Sequence, residues 1–226
     1  MTQDASGHRS RLRKRFLDGA DLAVADYELL ELLLYAAHAR SDMKPLAKRL
    51  LRTFGNLSKV VRASPEELAR VEGMGPAAVA SIKVVETMVQ KVLLEEVQEN
   101  PVIDSWDRLI SFCRISMGHL PREEFRLLFL DKRNRLITQE IQQVGTIDQA
   151  AVYPREVVKR ALDVGASALI LVHNHPSGDP TPSQADIDIT QRIITAAKGV
   201  DVRIHDHVII AKDKHTSLRA QGLISG

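Results

Sequence analysis

The sequence predicts an α+β protein: a small all-helical N-terminal domain over residues 1–100, then an α/β/α domain with a mixed central sheet over residues 104–226. Three observations predict it. The first part of the chain reads as helical throughout, with apolar residues at helical spacing. An acidic stretch, E-E-V-Q-E-N-P, runs into Pro101, which cannot continue a helix, so a linker falls at about residues 97–103. Beyond it, strand-like and helix-like segments alternate, the pattern of a sheet flanked by helices.

Taken in order, the chain opens on a basic cluster, H-R-S-R-L-R-K-R-F, that holds Arg9, Arg11, Arg13, Lys14 and Arg15. The stretch from Arg40 to Arg62 is again mostly basic. Such runs are either a solvated helix face or a phosphate-binding surface. Y-E-L-L-E-L-L-L-Y-A-A, residues 27–37, is a strongly apolar helix with Asp26 at its N-cap, and M-K-P-L-A-K-R-L-L, residues 43–51, is an amphipathic second. In S-P-E-E-L, Ser64 caps a short helix and Pro65 takes its first position. The next string, V-E-G-M-G-P-A-A-V-A-S-I-K, resembles a helix-hairpin-helix. Gly73 and Gly75 let the turn bring backbone amides and a helix N-terminus close to a DNA phosphate. The same glycines also make a plain tight turn between packed helices; Lys83 favours DNA, Glu72 opposes it. A long helix then runs from about Pro76 to Glu99.

In the second domain, Asp104 caps an amphipathic helix, D-S-W-D-R-L-I-S-F-C-R, with Trp106, Ile110 and Cys113 on one core-forming face. F-R-L-L-F-L-D-K-R-N-R-L-I-T-Q-E-I reads as two strands around a D-K-R-N turn. G-T-I-D-Q-A-A-V-Y-P bridges to a helix, P-R-E-V-V-K-R-A-L, with Pro in its first turn and Glu156 near its positive end. A-L-I-L-V, residues 168–172, is a short apolar run of the buried-strand kind. After the turn formers P-S-G-D-P-T-P, a helix opens at Ser183, with Ile187, Ile194 and Ala197 at helical spacing. V-R-I-H-D-H-V-I-I-A supplies the last strand pair.

The chemistry concentrates in H-N-H-P-S-G-D-P-T-P-S-Q-A-D, from His173 to Asp186. Strand side chains alternate, so His173 and His175 share a face and both imidazoles reach one ion, while Asn174 points away. Asp186 lies in the first turn of the following helix. Zinc takes imidazole nitrogen and carboxylate oxygen, and a catalytic site keeps three protein ligands with water in the fourth position. The pKa of such a water falls to about 7. His173, His175 and Asp186 supply that count, although imidazole and carboxylate also suit iron or manganese. S-x-x-D before an apolar run is equally a helix capping box, and the two readings of Ser183 and Asp186 coexist. A second H-x-H, His205 to His207, has no following carboxylate at ligand spacing and reads as support for the ligands or as packed histidine. Asn174 and Ser177 are candidates for orienting ligands or lining the cleft. Ser177 and Ser183 also lie near histidines, but no G-x-S-x-G elbow marks either as a nucleophile.

These residues carry a resemblance. H-x-H-x7-S-x-x-D resembles the JAMM motif of JAB/MPN-type metallopeptidases, and H-N-H-P-S-G-D-P-T-P-S is similar to the form in bacterial RadC-like proteins. The arginine-rich N-terminus and the G-M-G hairpin also look RadC-like, so the likeness runs nearly end to end. It implies a JAB/MPN-like second domain in which His173, His175 and Asp186 bind Zn2+ and Ser183 contacts the water or the oxyanion. It further implies a glutamate general acid and base at the head of a preceding strand. E-E-F-R-L-L-F-L-D is such a stretch, and the role is assigned to Glu123. In the JAMM form a Gly-Leu-Leu-like strand follows two residues after the glutamate, whereas Arg126 stands here in place of that glycine. Glu124 is the rival, though alternation sends the two carboxylates to opposite faces. Glu140, in mid-strand, and Glu156 fit less well.

Composition bounds the rest. The 226 residues, 44% hydrophobic and 27% charged, make an ordinary folded composition. A lone cysteine, Cys113, excludes an internal disulfide and C-x-x-C zinc sites, including the histidine–cysteine site of nucleobase deaminases. No leader opens M-T-Q-D-A-S-G-H-R-S and no apolar run nears the roughly 18 residues of a membrane span, so the expected location is cytoplasmic, away from membranes. A net charge of +2 and a pI near 8.7 do not by themselves demand nucleic acid. Three functions follow as expectations: a zinc-dependent peptidase or isopeptidase with a peptide or protein substrate; a DNA-associated repair or processing protein using Gly73, Gly75 and the N-terminal arginines; or a scaffold whose JAMM-like domain is catalytically idle.

Overall fold

The computed structural model describes residues 3–19, 24–37, 41–102, 104–144 and 152–224, the side chains of residues 3–6 and 143 excepted. Arg40, Ile103 of the expected linker and residues 145–151 of the expected bridge lie outside the described residues. Two compact units emerge, Met1–Val89 and Gln90–Gly226. The division falls within a long helix, α6 (Pro76–Glu99), which places Ala78 and Ile82 in the first core and Val97 in the second. Among the described residues, no helix is long and apolar enough to cross a membrane.

The first unit is helical: α1 (Gln3–Leu17), α2 (Asp26–Ala37), α3 (Lys44–Phe54), α4 (Leu57–Arg62), α5 (Pro65–Ala69) and the start of α6. Leu30 and Leu34 of α2 and Leu46 and Leu50 of α3, each pair one turn apart, meet Val60, Leu68 and Ile82 in its core. Ser64 forms a full capping box: its hydroxyl accepts from Glu67 N at 3.2 Å while the Glu67 carboxylate accepts from Ser64 N at 2.8 Å. Asp26 is not the N-cap of α2. It occupies the first turn, and Glu28 reaches back to the Ala25 amide at 3.1 Å, so Asp26 contributes only a favourable charge near the positive helix end. The short helix α4, capped by Asn56 through a 2.9 Å bond from Lys59 N, has too few apolar positions to show a period in the sequence.

The second unit contains the end of α6, α7 (Trp106–Met117), β1 (Glu124–Leu130), β2 (Leu136–Val144), α8 (Pro154–Asp163), β3 (Ala168–Asn174), α9 (Gln184–Lys198), β4 (Arg203–Ala211) and β5 (Lys214–Ser217). The strands form one mixed sheet in the order β2-β1-β3-β4-β5, parallel only between β3 and β4. That parallel step requires a crossover, which α9 provides. Leu128, Leu130, Ile170, Val172, Val208 and Ile210 face α7 with Ile110, Cys113 and Val97. Phe125, Leu127, Phe129, Leu169 and Leu171 face the other way, onto Val157 and Ala161 of α8 and Ile189, Ile193 and Ala197 of α9. The result is the α/β/α layering expected.

Three local readings change. Asp104 does not cap α7; the N-cap position is Ser105, which makes no side-chain cap bond and donates instead to Pro101 O at 3.0 Å. On α9 the fully packed stripe is Ile189, Ile193 and Ala197, while Ile187 and Ile194 are only partly buried. The run expected to supply a strand pair is the single strand β4, whose hairpin partner is β5.

Candidate metal centre

The site forms where β3 ends. Phe125 of β1 pairs with His173 of β3, and the two rings stack with centroids 6.1 Å apart, so His173 stands on the α9 side of the sheet. His175 follows past the strand end, its main chain held by a 2.8 Å bond from its amide to Ile210 O. Asp186 enters from the first turn of α9. His173 Nε2 lies 2.9 Å from His175 Nε2 and 3.2 Å from Asp186 Oδ1; His175 Nε2 lies 3.6 Å from Asp186 Oδ2. Donors around a tetrahedral zinc, bonded at about 2.0–2.1 Å, are about 3.3 Å apart, a spacing that falls between the shortest and longest sides of this triangle. These three residues are the group that can hold a metal ion among the described residues.

The tautomers can be derived outward from the backbone. Thr190, one turn beyond Asp186, donates its hydroxyl proton to Asp186 O at 2.5 Å. Its oxygen then accepts from His207 Nδ1–H at 2.5 Å. Burial lowers the His207 pKa well below its ordinary value, so the ring is neutral and its Nε2 is a lone pair that accepts from His173 Nδ1–H at 2.7 Å. Burial also pushes the His173 pKa down to about 4, so its Nε2 is left as a lone pair facing the site. His175 is oriented in the same sense, Nδ1–H donating to Asp179 O at 2.8 Å. With both rings neutral, two imidazole lone pairs and a carboxylate converge, an arrangement that repels itself unless a cation, either a metal ion or a proton on His175, stands between them. The His175 pKa is raised, first by the Asp186 carboxylate beside it, the same demand for positive charge. Burial opposes ionisation of Asp186, but the neighbouring His175 and His173 rings and the bonds from Ser183 outweigh it and hold the carboxyl far below the usual range. The donor set fits zinc.

Ser183 both caps α9 and holds Asp186. Its hydroxyl donates to Asp186 Oδ2 at 2.7 Å and accepts from Asp186 N at 3.2 Å, and its amide donates to Asp186 Oδ2 at 2.8 Å. The capping reading of S-x-x-D is thus met, and its carboxylate is the one that faces the histidines. Glu123 lies immediately before β1, half-buried, two residues ahead of Phe125, whose ring stacks on His173, so alternation carries it to the histidine side. Glu124 points to the α7 side, where it pairs with Arg126, itself bonded to Ser116 Oγ at 3.1 Å. Arg126, at the position of the expected glycine, thus anchors the rival glutamate. Glu140 is paired with Arg160 at 2.6 Å and Glu156 with Arg155 at 3.2 Å; neither contacts the cluster. Ser177 accepts from Asp179 N at 3.3 Å within the loop.

The second histidine pair divides. The β3–β4 register shifts between Leu169 and Ile170, so His205 leaves toward Asn134, 2.7 Å away in the β1–β2 turn, while His207 is buried against His173. Sequence reasoning reached His207 only as one of two options and missed Thr190. The signal for Thr190 was its i+4 spacing from Asp186.

In the helical unit, Gly73 adopts φ 94°, a backbone region that glycine enters without strain, and nothing stands within 4 Å of where a Cβ at Gly75 would project. Lys83 is tied to Ala63 O at 3.1 Å and to Glu86, and Arg49 pairs with Glu72 at 3.2 Å. Lys14 pairs with Asp18 at 2.5 Å, Arg15 with Glu28 at 2.6 Å, and Arg9 lies 4.1 Å from the Tyr35 ring centre. Arg11 and Arg13 are exposed.

A mixed sheet between helices, with a His-His-Asp donor set at the carboxyl end of its central strand, defines a JAB/MPN-type domain. The family model for the RadC-like JAB domain matches residues 103–223, more than half of the chain, and that for the UPF0758 N-terminal domain matches residues 6–80. The chain belongs to the RadC-like JAB domain family.

Proposed function

We propose that this protein is a zinc-dependent hydrolase of peptide or isopeptide bonds, with His173, His175 and Asp186 holding the metal and Glu123 moving the proton. The observation that carries the reading is the convergence of two imidazole nitrogens and a carboxylate beside a half-buried glutamate. Zinc bound there supplies a polarised carbonyl and a water acidic enough to attack near neutral pH. Glu123 takes the proton of the attacking water and returns it to the leaving amine. Glu124 is unsuited to this because its carboxylate is held by Arg126 on the other side of the sheet. Ser183 keeps Asp186 turned toward the histidines, and its hydroxyl reaches the oxyanion only by rotating away from Asp186 Oδ2.

Elemental analysis and turnover of isopeptide-linked and linear reporter peptides test this together. His175→Ala and Asp186→Ala should lose the stoichiometric zinc of the parent protein. Glu123→Gln should retain the metal while turnover falls about 10²–10⁴-fold. Full zinc content in either ligand variant contradicts the site. An active Glu123→Gln beside an inactive Glu124→Gln reassigns the base.

The second reading is a DNA-associated role for the helical unit, favoured by the left-handed turn at Gly73 and the open backbone at Gly75. Replacing Arg11, Arg13 and Arg15 by serine should then weaken duplex binding and flatten its dependence on salt, since each phosphate contact releases counterions. Unchanged affinity removes those arginines from the interface.

A further inference from the structure

We infer that Asn174 is a positioning residue for Glu123, fixing the peptide groups on both sides of it to the strand that carries the histidines; the inference rests on the proton-transfer role proposed for Glu123. Asn174 is 1% exposed and sits between His173 and His175. Its Oδ1 accepts from Glu124 N at 2.8 Å, and its Nδ2 donates to Arg122 O at 3.1 Å, with a longer 3.5 Å approach to Leu120 O. The amide after Glu123 and the carbonyl before it are thus both bound to one side chain. Accepting from an N–H while donating to a C=O requires a carboxamide of this length. Aspartate can only accept, and alanine can do neither.

On the β3 side, the clamp adds what the ladder lacks. Pairing between β1 and β3 begins at Phe125↔His173, so the chain before Phe125 has no strand bond to β3. Asn174 extends the connection backwards by side chain, past Glu123. At the start of the same loop, Lys212 N donates to Gly118 O at 3.2 Å, and near the glutamate the connection to β3 is made by Asn174. Because His173, Asn174 and His175 are consecutive, the placement of Glu123 relative to the two histidine donors is set by one short segment. A displacement of about 1 Å at a reacting group costs on the order of 10²-fold in rate, which gives such a clamp a function beyond stability.

The test uses the full-length zinc-loaded protein and acetohydroxamate, a small chelating acid whose proton passes to a neighbouring carboxylate. Calorimetric titration is made on the parent protein, Asn174→Ala, Glu123→Gln and the double variant, with zinc content measured for each. The expected result is stoichiometric zinc in all four, about 10-fold weaker hydroxamate binding in each single variant, and no further loss in the double variant. Faster hydrogen exchange at the Glu124 amide in Asn174→Ala should accompany it. Parent-like binding by Asn174→Ala, or losses that add in the double variant, would overturn the proposal. Parent-like binding by Glu123→Gln removes the base assignment itself and the proposal with it, a failure recognisable because Glu124 exchange still accelerates in Asn174→Ala. Should Asn174→Ala not fold, Asn174→Asp keeps the acceptor for Glu124 N and loses the donor to Arg122 O. It should weaken hydroxamate binding, and parent-like binding would overturn the two-sided clamp.

Discussion

Thr190 contacts no donor atom of the site directly, yet the proton on His173 is decided there. Its hydroxyl is bound to Asp186 O, so its oxygen must accept from His207, and the order passes through His207 to His173. Thr190→Val leaves His207 Nδ1–H without an acceptor in a fully buried place, and zinc affinity should fall about 10–100-fold by chelator competition, with Thr190→Ser near the parent value. Equal affinity for the valine variant would show that the relay does not set the tautomer. In the sequence, Thr190 is one of eight polar residues in the fifteen of α9, set apart only by its i+4 spacing from Asp186. The ligands announce themselves by spacing to one another, whereas a residue acting through another ring shares its spacing with no donor it serves.

At the scale of elements, caps show how far local signals reach. Ser64 and Asp104 carry the same kind of signal, a polar residue ahead of an apolar helix. Ser64 makes both bonds of a capping box; Asp104 makes no cap because the N-cap position belongs to Ser105, at φ −124° and ψ 32°. Urea unfolding should therefore show a loss of about 1 kcal/mol for Ser64→Ala and a change within about 0.5 kcal/mol for Asp104→Ala. A larger cost at Asp104 than at Ser64 would contradict this assignment. Ser183 differs from both, since its cap partner is also a candidate ligand. Ser183→Ala should lower stability by about 1 kcal/mol and weaken zinc binding in the same protein. A change in stability with unaltered metal affinity would leave Ser183 as a helix cap alone.

For the whole molecule, a metal held between β3 and α9 binds the native state and not the unfolded chain, so it must stabilise the fold. Zinc at 100 times its Kd should add about 2.7 kcal/mol to unfolding, read as a rise in Tm that a chelator reverses. Slower hydrogen exchange is expected in β3 and α9, and protection confined to α2–α5 would place the metal elsewhere. Sequence alone determined the α+β class, most helices and strands, the histidine and aspartate set, and the short list of glutamates. Periodicity, turn formers and ligand spacing are properties of chain neighbours, and they can be read without a fold. Tertiary structure decided what depends on distant partners. Glu123 rather than Glu124 shares a side with the histidines because Phe125 registers with His173, 48 residues on. His207 rather than His205 reaches the site because the β3–β4 register shifts. Asn174 grips the head of β1, 50 residues earlier in the chain. Strand register and buried hydrogen bonds are set only when the chain closes on itself, so no local pattern records them.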